Sequence, residues 1–92
     1  MTQHQGLPVA GYKPQSDEKV AHVNINKELE ERCLRQIEFL QGRLIDADAT
    51  HYIAAYDHRM LALARTSIQE AFMWMNRAVF QPDRISLPED EA

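Results

Sequence analysis

Tyr12 stands between Gly11 and the pair Lys13-Pro14. The proline restricts the lysine before it, and a tyrosine held this way is positioned rather than mobile. An aromatic face is a surface on which a nucleobase stacks, at roughly 1–3 kcal/mol per base. Lys27, further along, could supply a compact charge for a phosphate. The plain alternative is that Tyr12 packs the N-terminal arm and Lys27 is a surface lysine. A second cluster is Ala64-Arg65-Thr66-Ser67-Ile68-Gln69. Arg65 lies beside an apolar stripe and must snorkel, find an acid such as Glu38, or face a polar pocket. Arg65, Thr66 and Gln69 together offer donors suited to phosphates and base edges. A third is Met75-Asn76-Arg77 before Val79-Phe80-Gln81-Pro82. There Arg77 could equally serve the carbonyls and dipole of a helix end.

Other chemistries find no support. His4, His22, His51 and His58 show no ligand spacing with one another or with Cys33, and a zinc site needs three or four converging ligands. No Gly-x-Ser-x-Gly elbow or glycine-rich phosphate loop occurs. Cys33 falls among apolar helix positions and reads as a small hydrophobe. Glu28, Glu30, Glu31 and Glu38 read as a solvated face, with Glu28–Arg32 and Glu31–Arg35 as local pairs. The expectation is a protein that is not an enzyme and uses no cofactor and no metal.

The chain has 92 residues and carries a formal charge of −4. Glu89, Asp90 and Glu91 supply most of that excess. A domain that binds duplex nucleic acid would be basic, so that class is disfavoured. No apolar run approaches the roughly 18 residues of a membrane span, and the N-terminus lacks the pattern of a secretory signal. A lone cysteine fits a reducing cytosol. So short a chain buries a limited core, which makes oligomerisation an expectation.

Two helices must position these clusters. Residues 1–15, broken by Gly6, Pro8, Gly11 and Pro14, form an N-terminal arm and loop. Ser16 is the N-cap of a first helix with Asp17 and Glu18 in its opening turn. Its stripe reads Ile25, Leu29, Cys33, Ile37, Leu40 and Leu44. Asn24 and Asn26 weaken its start enough to suggest a kink or a separate short helix near 17–25, and Gly42 marks its end. The turn of a hairpin falls within 42–56. A second helix runs from Asp57 to Phe80 and stops at Pro82, with Leu61, Ala64, Ile68, Ala71, Phe72, Met75 and Val79 inward. Met60, Met73 and Trp74 lie off that stripe and point to contacts with other subunits. The hairpin domain is 16–82, and 83–92 reads as a mobile acidic tail. The fold expected is all-α: an antiparallel two-helix hairpin with a short N-terminal arm or helix, assembled as a homo-oligomer.

The segments occur in a telling order: Gly-Tyr-Lys-Pro (11–14), Asn-x-Asn-Lys-Glu-Leu-Glu-Glu-Arg (24–32), Leu-Ala-Leu-Ala-Arg-Thr-x-Ile-Gln (61–69) and Phe-Met-x-Met-Asn-Arg-Ala-Val-Phe-Gln-Pro (72–82). Over residues 11–82 the chain resembles the bacteriophage anti-CBASS nucleotide sponges. These share a helical-hairpin family with the anti-Thoeris sponges for cyclic ADP-ribose derivatives. The resemblance implies a homohexamer that binds the cyclic oligonucleotides of bacterial CBASS defence without cleaving them, in the host bacterial cytoplasm. It implies that Gly11, Tyr12 and Lys27 bind cyclic dinucleotides of the 3′,3′-cGAMP kind. It implies that Arg65, Thr66 and Gln69 bind cyclic trinucleotides of the cyclic tri-AMP kind. Residues 43–56 are richer in alanine and tyrosine than the family's turn. A cyclic ADP-ribose sponge is one alternative; a helical adaptor that grips a protein through Met60, Met73 and Trp74 is another.

Overall fold

The computed structural model describes residues 3–4, 9–48 and 51–91. Strand β1 (Gln3–His4) pairs antiparallel with β2 (Gln15–Ser16). Helix α1 (Asp17–Gln41) follows without a break, then β3 (Leu44–Asp48), β4 (His51–Ala54) and helix α2 (His58–Phe80). A short 3₁₀ turn (Pro88–Glu91) ends the chain's described part.

Local chemistry sets the helix ends. The Ser16 hydroxyl accepts from the Lys19 amide, and Asp17 and Glu18 occupy the positive end of the α1 dipole. Asp57 accepts from the Met60 amide at 2.9 Å and caps α2. Gln81, left-handed at φ 48°, closes α2 by donating its amide to the Arg77 carbonyl, and Pro82 prevents continuation. A separate short helix near 17–25 is not formed, since α1 is one helix from Asp17 to Gln41.

The all-α expectation is corrected at the tip. Residues 44–54 form a two-stranded antiparallel hairpin, with Ile45 opposite Ile53 and Asp46 opposite Tyr52. Leu44 therefore belongs to a strand, not to the helical stripe. Leu-Ile and Tyr-Ile favour extended backbone. Gly42 and the Arg43 carbonyl, which accepts from the Ala55 amide at 2.9 Å, turn the chain out of α1. The root is tied by His58, whose Nε2–H donates to the Gln41 carbonyl at 3.0 Å.

The two helices run antiparallel in a register fixed by polar pairs. Asn26 Nδ2 donates to Asn76 Oδ1 at 3.0 Å, and Arg65 meets Glu38 at 3.6 Å. The buried hydrophobic side chains are Val23, Ile37 and Phe72. Each contributes about 1.5–3 kcal/mol by burial, a thin core for helices of 25 and 23 residues. Ile25 and Leu29, expected inward on α1, are exposed, as is Met75 on α2. Asn26, Glu30, Arg65 and Asn76 share the sheltered faces instead. The chain extends over 72 × 37 × 18 Å with a radius of gyration of 20.5 Å, against about 12 Å for a compact domain of this length. Leu63, Phe39, Trp74 and Met60 stand largely in solvent.

Candidate ligand-binding site

The Gly-Tyr-Lys-Pro loop lies against the C-terminal end of α2 and the segment that follows it. Gly11 has φ +89°, a conformation that a side chain disfavours. Its own backbone neighbours add a second requirement, since a Cβ there would collide with the Asp83 carbonyl oxygen. Gly11 O accepts from the Asp83 amide at 2.6 Å, and Lys13 Nζ reaches Asp83 Oδ1 at 3.4 Å. Gln15 fastens the loop from the other side. Its Nε2 donates to the Lys13 carbonyl at 3.2 Å and to the Phe80 carbonyl at 3.1 Å. The segment after α2, expected as a mobile tail, is in its first residues the brace of this loop.

The brace leaves Tyr12 half exposed at the wall of an open cleft of about 330 Å³, lined also by Met73, Asn76, Arg77, Phe80 and Pro82. Met73, Arg77 and Phe80 share a face of α2 because they follow the three-to-four-residue helical spacing. The cleft thus has apolar walls and two polar side chains. Arg77 has no ion-pair or hydrogen-bond partner for its side chain among the described residues, and neither does the Tyr12 hydroxyl. Lys27 is not a lining residue of the cleft. It follows Asn26, and Asn26 bonds Asn76 in the cleft wall. One residue turns a helix by about 100°, and in antiparallel helices seen from one end the two turns have opposite sense. Lys27 and Arg77 therefore leave the asparagine pair on the same side of the hairpin.

The second cluster lies elsewhere. Arg65 is some 18 Å from Arg77 along α2 at about 1.5 Å per residue. It is half-buried and paired with Glu38, while Thr66 and Gln69 are exposed on the turn beyond. The acid considered for Arg65 from sequence is the one it meets. Glu31 pairs with Arg35 at 2.8 Å as expected, whereas Glu28 and Arg32 form no ion pair. Among the described residues no group of His, Cys, Asp and Glu could hold a metal ion, and no helix is long and apolar enough to cross a membrane.

Sequence reading missed Gln15 and Asp83 as braces, and Met73, Phe80 and Pro82 as cleft walls. The helical spacing of Met73, Arg77 and Phe80 carried that signal. Nothing in the local sequence marks Asp83.

This arrangement defines a class: a two-helix hairpin module, tipped by a β-hairpin, that presents a loop tyrosine beside a cleft at its base. The chain belongs to the Acb2/Tad1 hairpin-domain family, whose family model matches residues 6–80. It is similar to anti-CBASS protein 2 of Enterobacteria phage T4, at 35% identity in an alignment of 83 residues covering 82% of this chain and 92% of that protein. No solved structure matches it significantly.

Proposed function

We propose that this protein is a phage anti-CBASS factor that binds and sequesters cyclic oligonucleotide messengers without cleaving them. The observation that carries the reading is Tyr12: an aromatic ring whose flanking backbone is braced and which stands half exposed at a cleft. The kinship with anti-CBASS protein 2 of phage T4 supports the same class of action. A cleft of about 330 Å³ is at the low end of the range for small-molecule sites. It suits one nucleotide of a cyclic dinucleotide, so a second subunit takes the other half, as two-fold symmetry allows. Tyr12 stacks on a base, Lys27 neutralises a phosphate, and Gly11 holds the loop turn. Arg65, Thr66 and Gln69 form a separate trinucleotide patch. The thin core and the exposed apolar faces support a homohexamer in the host bacterial cytoplasm.

Isothermal titration with 3′,3′-cGAMP and with cyclic tri-AMP, separately and then in sequence, tests this on protein of measured mass. Tight, non-competing binding of both is expected, with each ligand recovered intact after denaturation. Tyr12→Ala should abolish dinucleotide binding and leave assembly unchanged. Binding of neither ligand would overturn the reading and direct attention to cyclic ADP-ribose derivatives.

A further inference from the structure

We propose that Arg77 and Asn76 make the Tyr12 cleft selective for guanine, so that guanine-containing cyclic dinucleotides bind more tightly than adenine-only ones. The proposal rests on the reading of Tyr12 as a base platform.

The argument is an account of donors and acceptors. A base stacked on Tyr12 enters a cleft whose apolar walls are Met73, Phe80 and Pro82, and whose two further side chains are Asn76 and Arg77. Arg77 is a donor only, and its guanidinium has no partner of its own among the described residues. It is therefore free to meet a ligand without first breaking an ion pair. Asn76 could in principle both donate and accept. Its oxygen is engaged by Asn26 across the helix crossing at 3.0 Å, which leaves its amide NH₂ as the group without a partner. The polar lining is thus donor-rich, with the Arg77 fork and the Asn76 amide beside the Tyr12 ring. Among purine edges, guanine offers two adjacent acceptors, O6 and N7, which an arginine fork engages in bidentate fashion. Adenine places an amino donor where guanine has O6, so the Arg77 fork keeps N7 as its one acceptor and loses the second bond. The lost bond, with donor set against donor at that edge, is what discriminates between the two bases.

The charge of the phosphates is met elsewhere. Lys27 leaves the Asn26–Asn76 crossing on the same side as Arg77 but from α1, outside the cleft lining. Arg77 is then left for the base edge and Lys27 for the backbone of the ligand.

The experiment is titration of the full-length protein with cyclic di-GMP, 3′,3′-cGAMP and cyclic di-AMP, repeated for Arg77→Ala and Arg77→Lys. Arg77 is exposed and unpaired, so neither variant disturbs the core; a thermal melt verifies this. The expected wild-type order of affinity is cyclic di-GMP, then 3′,3′-cGAMP, then cyclic di-AMP, with roughly 5- to 150-fold for one well-placed guanine. Arg77→Ala should remove that preference, bringing the three ligands to within about twofold of one another. Arg77→Lys, which keeps the charge and loses the fork, should lose it as well. Equal wild-type affinity for all three, or an equal loss for all three in Arg77→Ala, would overturn guanine selection and assign Arg77 to a phosphate, leaving the base platform intact. Failure of all three ligands to bind the wild type would instead sink the platform reading and this proposal with it.

Discussion

Asp83 donates its amide to the carbonyl of Gly11 at 2.6 Å, and its own carbonyl lies where a Cβ on Gly11 would have to be. The two backbones are in contact across 72 residues of sequence, and Tyr12 is the next residue along. The position of the candidate stacking ring is therefore set by the chain that leaves α2, not by the loop alone.

Gly11→Ala tests that dependence. A left-handed φ costs a residue with a side chain about 1–2 kcal/mol, and the collision with Asp83 adds to it. The loop is forced off its brace, and only the fraction of molecules with Tyr12 in place binds. Dinucleotide affinity should fall by roughly tenfold or more, with trinucleotide affinity and the far-ultraviolet helix signal unchanged. An unaltered dinucleotide Kd would show that the brace does not position Tyr12.

Tyr12 itself separates stacking from hydrogen bonding. Its hydroxyl has no partner among the described residues, so Tyr12→Phe removes no contact within the protein and reports on the ligand alone. Tyr12→Phe should retain dinucleotide affinity within a few-fold. Tyr12→Leu, apolar but without a π face, should lose roughly 5- to 150-fold, the equivalent of about 1–3 kcal/mol for one stacked base. Equal losses in both variants, read by calorimetry, would assign the role to the hydroxyl.

Arg65 enters its reaction already paired. Its ion pair with Glu38, at 3.6 Å between side chains that are partly solvated, belongs to the class that contributes about 0–1 kcal/mol. A cyclic trinucleotide bound at Arg65, as proposed above, would compete with Glu38 for the guanidinium. Glu38→Gln should therefore raise trinucleotide affinity by up to roughly fivefold and shift the melting temperature by little. Dinucleotide binding should not change, because the Tyr12 cleft lies several turns away along α2. A weaker trinucleotide Kd in this variant would mean that Glu38 holds Arg65 in its binding position rather than competing for it.

The ends of the helices were legible because capping is local: Ser16, Asp57 and Pro82 act within a few residues of themselves. The inward faces were only half legible. Leu61, Ile68, Phe72 and Val79 turn inward on α2 as spacing predicts, but α1 carries two apolar stripes, and periodicity alone cannot choose between them. Ile25 and Leu29 fit the stripe read from sequence, yet the sheltered face runs through Val23, Asn26, Glu30 and Ile37. Asn26 is there because Asn76 answers it, a pairing that no single-chain pattern announces. The β-hairpin was hidden for a related reason: Leu44 stands four residues after Leu40 and continues a helical spacing into a strand. At the site, Gly11 and Tyr12 could be picked out by type, but their brace at Asp83 is a non-local contact, with no local sequence signal.

The exposed apolar face makes the last prediction. Trp74 is 56% exposed and Met60 68%, while among the described residues the buried hydrophobic side chains are Val23, Ile37 and Phe72. Covering such faces with further copies offers the stabilisation that the isolated hairpin lacks, at about 25 cal/mol per Å² of apolar area. Light scattering should give six times the 10.6 kDa chain mass, and the melting temperature should rise with protein concentration, as it does when assembly is coupled to folding. Trp74→Glu places a charge on that face, where burial without a partner is costly. It should lower the measured mass and, on the proposed sharing of each dinucleotide between two subunits, weaken dinucleotide binding together. A Trp74→Glu protein that stays at the wild-type mass would remove this face from the interface, and a wild type that is monomeric and melts at one temperature across dilutions would overturn the assembly itself.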